Sequence, residues 1–164
     1  KRGILMDIRI ESRPTTHYAF IRHVGPYSEI GPSFDRLFDW AGKGALIDPD
    51  TNCFTLSYDD PETVAAEALR SDACLSLKKE DIETTGEIKV GTISAGRYAV
   101  QRYVGSYDGI SAAYQHMFTR WLPASGEAVA ERPCMEIYLN NPETTPPDRL
   151  ETLLCIPLKG QDTV

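Results

Sequence analysis

The feature that most constrains this chain is that it is written twice. Residues 8–38, "IRIESRPTTHYAFIRHVGPYSEIGPSFDRLF", align with residues 88–118, "IKVGTISAGRYAVQRYVGSYDGISAAYQHMF", at a constant shift. Ile8, Tyr18, Ala19, Arg22, Val24, Gly25, Tyr27, Ile30 and Phe38 meet the same residue types in the second segment. After one extra residue near Trp121 the match resumes, setting "CFTLSYDDPET" on "CMEIYLNNPET". Self-similarity over this length means a duplication. We therefore expect one domain, residues 1–164, made of two repeats at about 6–79 and 86–160.

Each copy can be read from its hydrophobic periods. Residues 8–11 and 17–24 are β-rich runs around a turn, and a Gly-x-Tyr then leads into a helix. Ile30, Phe34, Leu37 and Phe38 share one helical face in the first copy. Ile110, Tyr114, Met117, Phe118 and Trp121 do so in the second, so both stripes are expected to be core. Asp108, with Ser28 as its counterpart, stands where a helix N-cap would be. Strands at 53–58, 73–77, 134–139 and 153–158 complete the two copies. The expected class is α+β: two pseudo-symmetric units of four strands and one helix, with antiparallel sheets each covered on one face.

The charge balance excludes one function class directly. A formal net charge of -7 is unsuited to a nucleic-acid surface, which needs clustered cations. The sequence offers neither a long apolar run nor a basic-then-apolar leader, so membrane insertion is not expected and a cytoplasmic location is.

Chemistry is sought where the copies differ. Within "CMEIY", Met135 and Ile137, with Leu139 beyond, share one strand face, expected against the helix. Cys134, Glu136 and Tyr138 share the other. Glu136 stands where the first copy has Thr55, and Tyr138 where it has Ser57. A need of the fold would apply to both copies, so the fold does not explain this carboxylate.

A solvated glutamate is the ordinary reading. Against it, two helix-free faces that pack together enclose a groove, and a carboxylate lining that groove is desolvated. Glu136 is then the charge-selecting group of an apolar, aromatic pocket, with the Tyr138 ring beside it suited to cations. Tyr18, Tyr98 and Trp121 complete the candidate ligand-binding set.

Other signals are weaker. The four cysteines form no C-x-x-C pair and fall at repeat-equivalent strand positions, so buried thiols are expected, with no metal and no cofactor. No serine or cysteine has the context of an activated nucleophile. Arg22 and Arg102 lie on the strand faces of Tyr18 and Tyr98 and read as structural pairs.

Taken in order, "RHVGPYSEI", "YDDPET" with "LRSDACLSL", "WLPASG", "PCMEIYLNNPETTPP" and "CIPLK" resemble the GyrI-like small-molecule-binding domain, the effector-binding family of SbmC, Rob and BmrR, found also in AraC-type regulators. The resemblance covers residues 6–160. It implies two SHS2-like strand-helix-strand-strand-strand units with a ligand groove between them. It also implies that the glutamate of E-x-Y, here Glu136 with Tyr138, binds lipophilic cations, as in the multidrug-binding members. Many relatives carry a tyrosine where this chain has Cys155, so a roomier or less aromatic pocket is expected.

The resemblance makes a small-molecule effector-binding domain of a bacterial transcription regulator, or a stand-alone relative, the favoured function. DNA would be reached only through a separate helix-turn-helix segment. Two alternatives share the scaffold. One is a hydrolase of strained cyclopropane-bearing genotoxins with Glu136 as general base; the other is a DNA gyrase-modulating protein. We expect binding rather than turnover.

Overall fold

A computed structural model describes residues 7–160; the terminal residues 1–6 and 161–164 of the expected domain lie outside the described residues. The strands are β1 (Ile8–Arg13), β2 (Thr16–Val24), β3 (Cys53–Ser57), β4 (Arg70–Leu77), β5 (Ile88–Ile93), β6 (Gly96–Val104), β7 (Cys134–Tyr138) and β8 (Glu151–Leu158). The first helix is α1 (Gly31–Lys43). The second begins as α2 (Ile110–His116), passes through a π-helical turn (Met117–Trp121) and ends as α3 (Leu122–Ser125). A π turn is an α-helix with one residue inserted. The single residue by which the two copies fall out of step near Trp121 is absorbed here.

Instead of two sheets there is one antiparallel sheet of eight strands, in the order β1-β6-β8-β7-β3-β4-β2-β5. β1 and β2 do not pair with each other as a hairpin. β1 pairs with β6 and β5 pairs with β2, so each copy gives its first strand to the other. Only Pro14 and Thr15 separate β1 from β2, yet these strands lie near opposite edges of the sheet. The sheet must therefore curl until its edges approach. The two crossing turns meet where the Ala95 amide donates to Thr15 Oγ1 at 3.2 Å.

Curling buries the helix-free face without any helix on it. Tyr18, Phe54, Leu56, Tyr98, Met135 and Ile137 form a core there, none more than 7% exposed. The other face carries both helices. Leu37 and Ala41 of α1 pack on Ala19, Ile21, Ala73 and Leu75, while Ile110 and Met117 pack on Ala99, Leu154, Ile156 and Leu158.

Several local expectations change. Met135 and Ile137 face the concave core, and Cys134 and Tyr138 face the helices, the reverse of the expected assignment. Phe38 and Phe118 are 40% and 36% exposed rather than core. Asp108 is not a cap: its own amide donates to Ser106 Oγ at 3.2 Å, and neither α1 nor α2 has a side-chain N-cap. The four cysteines are free, Cys74 and Cys155 buried and Cys53 and Cys134 partly so.

Gly25 and Gly105 close β2 and β6 at φ +140° and +147°, a region L side chains rarely adopt. Their amides donate to Leu69 O and Leu150 O, both at 2.8 Å, tying each helix entry to the next strand pair. Gly105→Ala is expected to lower stability by about 1–2 kcal/mol in thermal or urea denaturation. Gly31→Ala, where an added Cβ meets nothing within 4 Å, is the neutral or slightly stabilising control.

Candidate functional site

The two copies meet at the β3–β7 ladder in the middle of the sheet, where Thr55 faces Glu136 across the rung. The side-chain period of two puts Thr55, Glu136 and Tyr138 on the helix-bearing face, in the strip between the two helical clusters. Tyr138 OH donates to Glu136 Oε1 at 3.0 Å and lies 2.7 Å from Thr55 Oγ1. With the tyrosine proton committed to the carboxylate, the threonine hydroxyl is left to donate to the tyrosine oxygen.

Aromatic rings wall this chain of hydrogen bonds. The Phe34 ring of α1 meets Tyr138 edge-on at 5.9 Å, and the Tyr107 ring packs on it at 5.5 Å. Tyr114 of α2 donates to Met135 O at 2.9 Å, which fixes its ring beside β7.

Glu136 makes no ion pair among the described residues. Glu136 is half-buried in this strip. Burial pushes its carboxyl up to about 7, opposed in part by the hydrogen bond from Tyr138. Burial likewise raises the Tyr138 and Tyr114 hydroxyls well above their ordinary value, and the Cys134 and Cys53 thiols to about 12. The tyrosines are neutral donors and the thiols are poor nucleophiles. A desolvated carboxylate without a counter-charge can take up a proton, hold a cation or act as a base.

Of the expected site residues, the structure brings together only Glu136 and Tyr138. Tyr18 and Tyr98 lie on the opposite, concave face. Trp121 ends the π turn and packs with the cluster beneath the second helix. Cys155 is also buried in the concave core, so its replacement of a tyrosine does not widen the strip beside Glu136. The helix-free faces enclose packed side chains and a cavity of only about 20 Å³, not a groove holding Glu136. Thr55, Tyr107, Tyr114 and Phe34 are the site neighbours that sequence reasoning missed. Tyr114 and Phe34 could have been found as equivalent helix positions that differ by one hydroxyl.

Arg22 and Arg102 are paired as expected, but unequally. Arg22 Nε donates at 2.5 Å to the fully buried Asp72, which also accepts from Tyr58 OH at 2.6 Å. Arg102 pairs with the partly exposed Glu151. Among the described residues there is no group of three or more metal-ligating side chains, and no helix long and apolar enough to cross a membrane.

Comparison with known proteins places this geometry. The model of the GyrI-like small molecule binding domain matches residues 6–159. The chain is 31% identical over 157 residues to the probable transcriptional regulator YgiV of Escherichia coli K12, covering 95% of this chain and 98% of that protein. It is 31% identical over 140 residues to a DNA gyrase inhibitor of Edwardsiella piscicida, covering 83% and 88%.

Its fold matches the EcmrR C-terminal domain at TM-score 0.77 and 18% identity, covering 95% and 99%. In an EcmrR–DNA complex the match is at TM-score 0.84 and 18% identity, covering 97% of this chain and 59% of that one. SAV2435 bound to tetraphenylphosphonium matches at TM-score 0.65 and 13% identity, covering 94% and 95%. The chain belongs to the GyrI-like small molecule binding domain family.

Proposed function

We propose that this domain is an effector-binding module for lipophilic cations, with Glu136 as the group that selects charge. The observation that carries the reading is the enclosed carboxylate, held by Tyr138, walled by aromatic rings and lacking a counter-ion among the described residues. Burying such a charge is unfavourable unless a cation arrives to pair with it. The fold-level likeness to a protein bound to tetraphenylphosphonium is in keeping with this chemistry.

We further infer that the ligand enters between two SHS2-like units, along the strip that separates the helices. The domain would serve a bacterial transcription regulator or a stand-alone relative in the cytoplasm. Any operator contact would belong to a separate segment, since this domain fills 59% of the matched EcmrR chain.

A hydrolase would use the same Glu136 as general base on water. A gyrase-modulating role would follow the gyrase inhibitors it resembles. Titration with tetraphenylphosphonium, followed by the fluorescence of the chain's two tryptophans, tests the favoured reading. A saturable change is expected. A linear, unsaturating response, or steady consumption of a neutral electrophile by the protein, would overturn it.

A further inference from the structure

We propose that the strip beside Glu136 contains a second, polar subsite at Thr152, so that its preferred ligands are lipophilic cations that also carry a hydrogen-bonding group close to the charge. This inference rests on the cation reading of Glu136 and narrows it.

Thr152 on β8 is the register partner of Tyr138 on β7 and of Tyr103 on β6, and it shares their face. Its side chain is 0% exposed, and its Oγ1 has no hydrogen-bond partner among the described residues. Neither register partner serves it, and Gln101 Oε1, diagonal to it on β6, is itself buried without a partner among the described residues. Tyr138 bridges Thr55 and Glu136, and Tyr103 OH donates to Ser106 O at 2.7 Å. A buried, unpaired hydroxyl is destabilising, and valine would fill the same volume without that cost.

A second, independent observation gives a way in. In the first copy Tyr27 OH is latched to Asp59, donating to its carbonyl at 2.6 Å and accepting from its amide at 3.0 Å. Tyr107 is the equivalent ring, but its hydroxyl has no hydrogen bond to any described residue. The side chains at the two positions are used alike, Asn140 Oδ1 accepting from the Glu151 amide as Asp59 Oδ2 accepts from the Arg70 amide, so what the second copy lacks is the main-chain latch on its tyrosine. Tyr107 packs on Tyr138 at 5.5 Å and against the cluster beneath the second helix, held by apolar contact without a hydrogen bond from its hydroxyl to a described residue. Swung aside, this ring would admit a polar group to the part of the strip that holds Thr152. Ser71 is the repeat equivalent of Thr152, also buried and unpaired, and it lies in the half with the latched tyrosine. It is the internal control.

Glu136 and Thr152 are diagonal neighbours on adjacent strands, roughly 7 Å apart at Cβ. A ligand with both groups therefore spans them without distortion.

The test compares tetraphenylphosphonium with its meta-hydroxyphenyl analogue on wild type, Thr152→Val and Ser71→Ala. Wild type should bind the hydroxylated cation about fivefold more tightly. Thr152→Val should erase that preference and leave tetraphenylphosphonium within about twofold, whereas Ser71→Ala should keep it. The ligand-free Tm of Thr152→Val should rise. No preference in wild type, a preference that survives Thr152→Val, or a lower Tm would overturn the subsite while leaving the cation reading intact. If wild type binds neither cation, the reading of Glu136 fails and the subsite with it.

Discussion

Glu136→Gln is expected to weaken tetraphenylphosphonium binding by about 30-fold or more, since removing one partner of a buried charge pair costs about 2 kcal/mol or more. The same change should stabilise the empty protein. Between the ordinary carboxyl value of 4.5 and the raised value of about 7, the native state holds a proton that the unfolded chain has released. Stability contributed by Glu136 is therefore fully present below about pH 4.5 and is lost as pH rises through 7, in total by about 3 kcal/mol. The glutamine variant, uncharged throughout, should lack this loss and melt higher than wild type at pH 8.

Binding runs the other way. Proton and cation compete for one carboxylate, so affinity for a permanently charged ligand should rise with pH up to about 7 and then level off. Calorimetric titration at several pH values, paired with melting curves, reads both slopes. Wild-type affinity that stays flat from pH 5 to 8 would remove Glu136 from the binding reaction.

The second large effect is an inequality between two residues that look alike in sequence. Arg22→Met should cost about 3 kcal/mol, because it leaves Asp72, whose side chain is 0% exposed, with only the Tyr58 hydroxyl. Arg102→Met should cost under about 1 kcal/mol, because Glu151 is 31% exposed and water can replace its partner. Urea denaturation of the two variants side by side measures the difference. Equal losses would mean that the buried carboxylate is compensated by other groups.

How legible this was depends on which physical rule each feature obeys. The duplication predicted the element order, because each copy repeats the same alternation of periods, and the one-residue slip near Trp121 became a π turn. The difference between Thr55 and Glu136 singled out the carboxylate, because fold requirements act on both copies alike.

The strand exchange was not legible. Nothing in a run such as "IRIESR" says which edge it will join, since edges are chosen by closure of the whole sheet. The facing of β7 is hidden from the sequence for a related reason. A period of two says which residues share a side, but not which side meets the helices. Met135 and Ile137 are apolar because the curled sheet buries a core of its own. In the sequence Tyr114 is ordinary helix stripe, and only the proximity of its ring to β7 makes it part of the site.

The rung that pairs Thr55 with Glu136 has a consequence for descent. It is the rung of the β3–β7 ladder at which equivalent positions of the two copies face one another. A single-copy ancestor assembling as a two-fold dimer would set that position opposite itself. A glutamate there would have confronted a second glutamate directly across the ladder, an arrangement that is destabilising. Only copies free to diverge from one another could place a carboxylate on one side while the other kept a small hydroxyl. Charge recognition at the centre of this sheet is in that sense a property that duplication made available.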